Sequence, residues 1–184
     1  MSIPKEATCV FSWEIFDVYQ RQQQMFDWSF QTFERATRPD TVNIIALLDT
    51  WNIVVTEERQ PWSLPFCGLV WWRCDEWESA LQSAKRELLE ETWLVSEDWS
   101  LFTTYNLQSK VLYQSSVYIA RNCTKISEQD LDVWGEKIKL LELSWEEFLD
   151  FIAREDFRSS QFALDLLRSV YLWQEAQIKK RIFW

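Results

Sequence analysis

Apolar and polar positions repeat with two periods along this chain, and each change of period marks an element. Val10 to Tyr19 and Ser29 to Thr37 are rich in Phe, Val, Ile and Thr, which predicts two strands, with Asp27-Trp28 as the turn between them. Thr41 to Asp49 and Asn52 to Glu58 read as a hairpin pair. Their connection is Asp49-Thr50-Trp51-Asn52, where the backbone usually wants a glycine with positive φ. Phe66 to Val70 is a short apolar strand, and Asp75 with Glu78 has the spacing of a capping box, which predicts a helix running to about Thr92. Leu101 to Leu107 and Val111 to Arg121 are further strands, Asn122 to Lys137 is a polar, acidic loop, and Ile138 to Leu143 is again a strand. Ser144 with Glu147 forms a second capping box and opens a helix to about Arg154. Ser160 to Lys180 is predicted as one long amphipathic helix, with Phe162, Leu166, Leu167, Val170 and Tyr171 on its apolar stripe. Strands, a helix, strands again and helices last give an α+β order. No repeat or linker interrupts the 184 residues, so the chain reads as one domain.

The middle helix carries the chemistry. Leu81, Ala84 and Leu88 recur at core spacing, and Glu87, Glu90 and Glu91 fall on the neighbouring face. Like charges at that spacing repel by a few tenths of a kcal/mol per pair. Here they also crowd the C-terminal half of the helix, the wrong end for its dipole. A solvated acidic face is one reading. A carboxylate cage for Mg²⁺ or Mn²⁺, which take oxygen ligands, accounts for the arrangement better.

Composition narrows the choice. Hydrophobic residues make up 47% and charged residues 26%, enough for a sizeable core. A net charge of -10 argues against nucleic acid or an anionic membrane as partner, since both need a basic surface. A divalent cation can still invert the local field for an anionic small substrate. With no histidine, imidazole metal sites and histidine-activated nucleophiles are ruled out. Cys9, Cys67, Cys74 and Cys123 are scattered without a CxxC, which suits a reduced, cytoplasmic compartment. Met1 to Val10 does not read as a signal peptide, and no apolar run is long enough to span a membrane.

Trp71 to Leu94 resembles the metal-binding box of Nudix hydrolases, commonly written G-x5-E-x7-R-E-U-x-E-E-x-G-U with U aliphatic. Glu78, Arg86, Glu87, Glu90 and Glu91 stand at its charged positions, Leu88 and Leu94 at its aliphatic ones, and Trp72 and Trp93 at its glycines. The runs Phe33 to Asp40 and Glu57 to Pro61 resemble, more weakly, ADP-ribose and nucleoside-diphosphate-sugar pyrophosphatases. Phe66-Cys67-Gly68-Leu69-Val70 departs from those enzymes, which often carry an acidic residue and Pro-Ala before the box glycine.

The resemblance implies an α/β/α sandwich on a mixed sheet, with the box as loop-helix-loop and helices at the C-terminal end. Residues 1–40 would be N-terminal strands able to make a homodimer, and 41–184 the catalytic fold. The implied reaction is Mg²⁺- or Mn²⁺-dependent hydrolysis of the diphosphate in a nucleoside diphosphate linked to another group, with ADP-ribose or a nucleotide sugar as substrate. The implied metal ligands are Glu87, Glu90, Glu91 and the carbonyl of Trp71. Arg86 would orient the glutamates, with Glu91 in the catalytic set. Arg38 and Arg59 would bind substrate, and a loop acid, Glu136 or alternatively Glu128, would be the base. A non-catalytic nucleotide-binding module, or a form inactivated by tryptophan at glycine sites, are the competing readings.

Tryptophan itself is the anomaly. The chain has 2 Gly and 13 Trp, whereas average usage of about 7% would give roughly 13 glycines. Trp13, Trp28, Trp51, Trp62, Trp71, Trp72, Trp77, Trp93 and Trp134 fall in predicted turns or at box glycines, while Trp99, Trp145 and Trp184 sit in ordinary contexts. The pattern predicts UGA codons meant as glycine and rendered as tryptophan; UGG at those nine codons overturns it.

Overall fold

The computed structural model describes residues 3–61, 63–108, 110–126 and 137–184. All 11 strands of the described residues join one sheet. The N-terminal meander is β1 (Thr8–Ser12), β2 (Asp17–Gln24) and β3 (Phe30–Thr37), antiparallel throughout. The predicted strand Val10 to Tyr19 is therefore two strands joined at residues 13–16. The glutamines from Gln20 to Gln24 extend β2 because they pair across to Phe30–Glu34 rather than pack inward. β3 joins the rest of the sheet through only two parallel pairs, Ala36 with Val111 and Thr37 with Leu112.

The centre of the sheet is β4 (Thr41–Leu48), flanked by β5 (Ile53–Arg59) and β10 (Val111–Lys125). β10 runs parallel to β4 and β3 and antiparallel to β9 (Asp98–Gln108), so the sheet is mixed. The predicted strand Phe66 to Val70 is broken at Leu69. β6 (Phe66–Gly68) pairs with β5, and β7 (Val70–Arg73) pairs with β4. β8 (Leu94–Val95) follows the box helix, and β11 (Lys137–Leu143) closes the far edge against β5. The acidic loop starts later than expected, because Asn122–Lys125 still belong to β10.

Alternation along β4 assigns the layers. Val42, Ile44 and Ala46 face α1 (Ala80–Thr92), packing with Val54, Val70, Ala84 and Leu88. Ile45 and Leu47 face the other way, into a core built with α2 (Trp145–Ile152), α3 (Ser160–Tyr171) and α4 (Glu175–Phe183). The fold is α+β, a mixed sheet with one helix on one face and three on the other. No described helix is long and apolar enough to cross a membrane.

Two helix predictions need correction. α1 starts at Ala80, capped by Ser79 and Gln82 in a reciprocal capping box, rather than at Asp75 and Glu78. The predicted helix Ser160 to Lys180 is two helices. Trp173 takes a left-handed φ of 61°, and Gln174 N donates to Ser169 O while Trp173 N donates to Val170 O, the pattern of a Schellman stop. Tyr171, expected on the apolar stripe, is exposed at this break.

Candidate functional site

The loop before α1 and the helix itself are tied together by Arg86. Its Nε donates to both oxygens of Glu78 at 3.2 Å, and its Nη2 to Glu78 Oε2 at 3.0 Å. Its Nη1 donates to Glu87 Oε1 and, at 3.0 Å, to Glu90 Oε2. Asp75 Oδ2 lies 3.7 Å from Nη2. Glu78 precedes the helix, yet Arg86 and the Ser83 hydroxyl hold it there and keep its carboxyl below the usual range. Glu78 in turn raises the Arg86 pKa.

Four carboxylates thus share one guanidinium. Glu87 is 3% exposed, and burial pushes its pKa up to about 7 despite the Arg86 contact. Glu91 is 9% exposed and lies four residues on, hence on the same face. The predicted neighbouring acidic face is therefore divided: Glu87 and Glu91 are buried with Ala84 and Leu88, Glu90 is exposed, and Leu81 is only half-buried. Two buried carboxylates on one face, with more negative charge around them than Arg86 can balance, are a donor set suited to a hard divalent cation. Among the described residues no three such side chains already form a cage, because Arg86 holds Glu87 and Glu90.

Trp71 and Trp72 lie in strand β7, not in a turn, with ordinary backbone angles and rings 5.9 Å apart. Trp71 pairs in register with Asn43 of β4. Its ring lines a cavity of about 460 Å³ on the α3 face of the sheet, together with Arg38. Arg59 lines a different cavity of about 470 Å³, beside Arg154, Lys139 and Glu57. The two arginines expected to share a substrate are thus placed in separate cavities. Glu136 and Glu128 lie outside the described residues.

No family model matches this chain, and neither does any curated protein. Its fold is that of a known hydrolase structure. The chain is similar to a crystal structure of an ADP compounds hydrolase, with a TM-score of 0.71, 18% identity and 94% of each chain covered. That likeness places the mixed sheet and its helices in a Nudix-like fold.

Several residues near these cavities carry no local sequence signal. Arg154 pairs with Asp156 at 2.8 Å and with Glu57 at 2.9 Å. Asp156 O accepts from Cys67 N, and Cys67 O from Arg158 N, so residues 156–158 dock on β6. Burial, and then Asp156, push the Cys67 thiol up to about 12, so it is no nucleophile at neutral pH. Arg158 lies 4.3 Å from the rings of both Phe66 and Trp71. These partners are far apart in the chain, and only the docking of 156–158 brings them together.

Proposed function

We propose that this chain hydrolyses the diphosphate linkage of a nucleoside diphosphate joined to a sugar or similar group, ADP-ribose first among them. The products would be a nucleoside monophosphate and a sugar phosphate. The observation that carries the reading is the Arg86 hub: the five charged residues of the box pattern sit at one loop and helix, two of them buried. The similar solved structure is an ADP compounds hydrolase, which supports the same class of reaction.

Glu87, Glu90, Glu91 and the Trp71 carbonyl would hold Mg²⁺ or Mn²⁺. When bound, such a cation neutralises diphosphate charge and lowers the pKa of water. Arg86 keeps Glu78, Glu87 and Glu90 in place before any cation arrives. Burial raises the Glu87 pKa to about 7, so a cation bound there would compete with a proton. A carboxylate from the loop that contains Glu128 and Glu136 would act as general base, and Arg38 and Arg59, which line separate cavities, would contact different parts of the substrate. We further propose that the chain acts as a homodimer through residues 1–40, in the cytoplasm.

The test is phosphate-product release from ADP-ribose, nucleotide sugars, dinucleoside polyphosphates and nucleoside triphosphates with Mg²⁺, using this chain and a variant with glycine at Trp72 and Trp93. Turnover abolished by Glu91→Gln, with the fold retained, is the expected result. Absence of turnover by both proteins on every substrate rejects hydrolysis, and unchanged activity in Glu91→Gln rejects the metal assignment. A binding module without turnover is the second reading, favoured by the hold of Arg86 on Glu87 and Glu90. Under it, nucleotides bind and none is cleaved.

A further inference from the structure

The turn between α2 and α3 is fastened by a residue that the hydrolysis scheme does not use. Residues 156–158 lie along β6 as a single parallel bridge, with Phe157 opposite Cys67. Two backbone hydrogen bonds make the junction: Cys67 N donates to Asp156 O at 3.0 Å, and Arg158 N to Cys67 O at 2.9 Å. Phe157 is buried against Phe151, with ring centroids 6.1 Å apart. Ser159 ties the far end of the turn to β4, donating to Asn43 Oδ1 at 2.6 Å.

Arg154 adds the charged bonds. Its Nε and Nη2 donate to the two oxygens of Asp156 at 2.9 and 2.8 Å, and its Nη1 donates to Glu57 of β5 at 2.9 Å. Its flat face lies 5.1 Å over the Phe151 ring. Asp156 also accepts from the Cys67 thiol at 3.4 Å. One guanidinium thus fastens the start of the turn to its middle, and both to the sheet. A forked pair of this kind has one geometry, which a lysine does not reproduce. The Arg154 pairs are partly exposed, and exposed ion pairs contribute little to overall stability. What they fix is the path of the backbone into Arg158.

Arg158 lines the cavity on the α3 face, stacked 4.3 Å from the rings of both Phe66 and Trp71. Among the described residues no carboxylate holds it. Its placement therefore depends on the turn, and the charged hold on the turn is Arg154, which does not line that cavity.

We propose that Arg154 is a positioning residue: it sets the α2–α3 turn and, through it, the guanidinium of Arg158 for an anionic substrate. The proposal rests on the hydrolysis reading for the identity of that substrate. Arg154 itself meets no reacting group.

The test uses ADP-ribose with Mg²⁺, reading kcat and KM by turnover and Kd by calorimetry. Arg158→Gln removes a charge-assisted hydrogen bond and should raise KM and Kd roughly 10-fold or more, with kcat little changed. Arg154→Leu should raise both by at least about 3-fold, and Arg154→Lys, which keeps the charge without the fork, by less. The double variant Arg154→Leu with Arg158→Gln should be no worse than Arg158→Gln alone, because both changes act through one group. The melting temperature of Arg154→Leu should fall by no more than about 4 °C. Lys179→Gln, which cuts ion pairs to Glu146 and Glu175 elsewhere on the surface, should change neither KM nor Kd. Hydrogen exchange supplies a readout without substrate: the amides of Cys67 and Arg158 should exchange about 10-fold faster in Arg154→Leu and at the unaltered rate in Lys179→Gln. The proposal fails if Arg154→Leu leaves KM and Kd unchanged, if the double variant multiplies the two single effects, if the two amides keep their protection, or if Arg154→Leu unfolds the chain as a whole. A chain that neither binds nor cleaves ADP-ribose fails the hydrolysis reading instead, and the exchange rates then decide alone whether Arg154 sets the turn.

Discussion

Four tryptophans hold backbone angles that favour glycine. Trp28, Trp51, Trp93 and Trp173 have φ of 66°, 68°, 56° and 61°. Among the described residues only Asn122 shares that region without being glycine, and asparagine enters it readily. A bulky residue there costs on the order of 1–3 kcal/mol unless its side chain recovers the energy by burial. Trp28 is 79% exposed and Trp173 93% exposed, so neither recovers much. Trp28→Gly and Trp173→Gly should therefore each stabilise the chain by about 1 kcal/mol, seen as a higher midpoint in urea unfolding. Trp145→Gly is the contrasting case. Trp145 is buried in α2 and donates to Glu175, so its loss should cost about 3–5 kcal/mol or more. A fall in stability for Trp28→Gly would show that these turns do not want glycine. The backbone also sharpens the codon argument. Of the nine positions first singled out, it supports Trp28, Trp51 and Trp93 by positive φ, does not do so for Trp13, Trp71, Trp72 and Trp77, and adds Trp173; Trp62 and Trp134 lie outside the described residues.

At the scale of the element, α1 shows both what local sequence reveals and where it stops. The spacing of Arg86, Glu87, Glu90 and Glu91 was legible because helical neighbours are fixed by periodicity. The start of the helix was not. Asp75–Glu78 and Ser79–Gln82 are both plausible caps in isolation, and the choice falls to Arg86, which pins Glu78 outside the helix. The Ser144–Glu147 cap was read correctly because nothing distant competes with it. The break between α3 and α4 was hidden for a different reason: a glycine at 173 would have announced it, and a tryptophan does not. Burial of Glu87 on α1 carries a pH consequence. Its folded pKa is raised to about 7 from an ordinary 4.5, so the folded state holds the proton more tightly. Glu87 should therefore lower stability as pH rises from about 4.5 to 7 in EDTA, and Glu87→Gln should flatten that slope. Mg²⁺ needs the ionised form, so its stabilisation should be larger at pH 8 than at pH 5. Melting temperatures with and without Mg²⁺ across that range check the sign. A Mg²⁺ effect that is absent, or equal at both ends, would reject Glu87 as a ligand.

For the whole molecule, the unbalanced feature is the N-terminal meander. The central strands β4 and β5 bury both faces, but β1 is exposed along its whole length. Val10, Phe11, Trp13, Ile15 and Phe16 all present apolar surface there, with Phe11 54% exposed. Large apolar side chains exposed together on one short segment are the kind of surface that a partner covers. β3 is joined to β10 through two register pairs and the stacking of Arg38 on Tyr113. Such an arm gains little stability from its own domain. Covering it with a second copy would remove apolar surface from water at about 25 cal/mol per Å² before the costs of association. The proposed homodimer follows, with residues 1–40 as its interface. Sedimentation velocity should give a dimer for this chain, and Phe11→Glu combined with Phe16→Glu should give a monomer that keeps its sheet content by circular dichroism. Because a dimer gains stability by mass action, the melting temperature of the unaltered chain should rise with protein concentration and that of the double variant should not. A monomer for the unaltered chain, or a dimer that survives both glutamates, would rule out the arm as the interface.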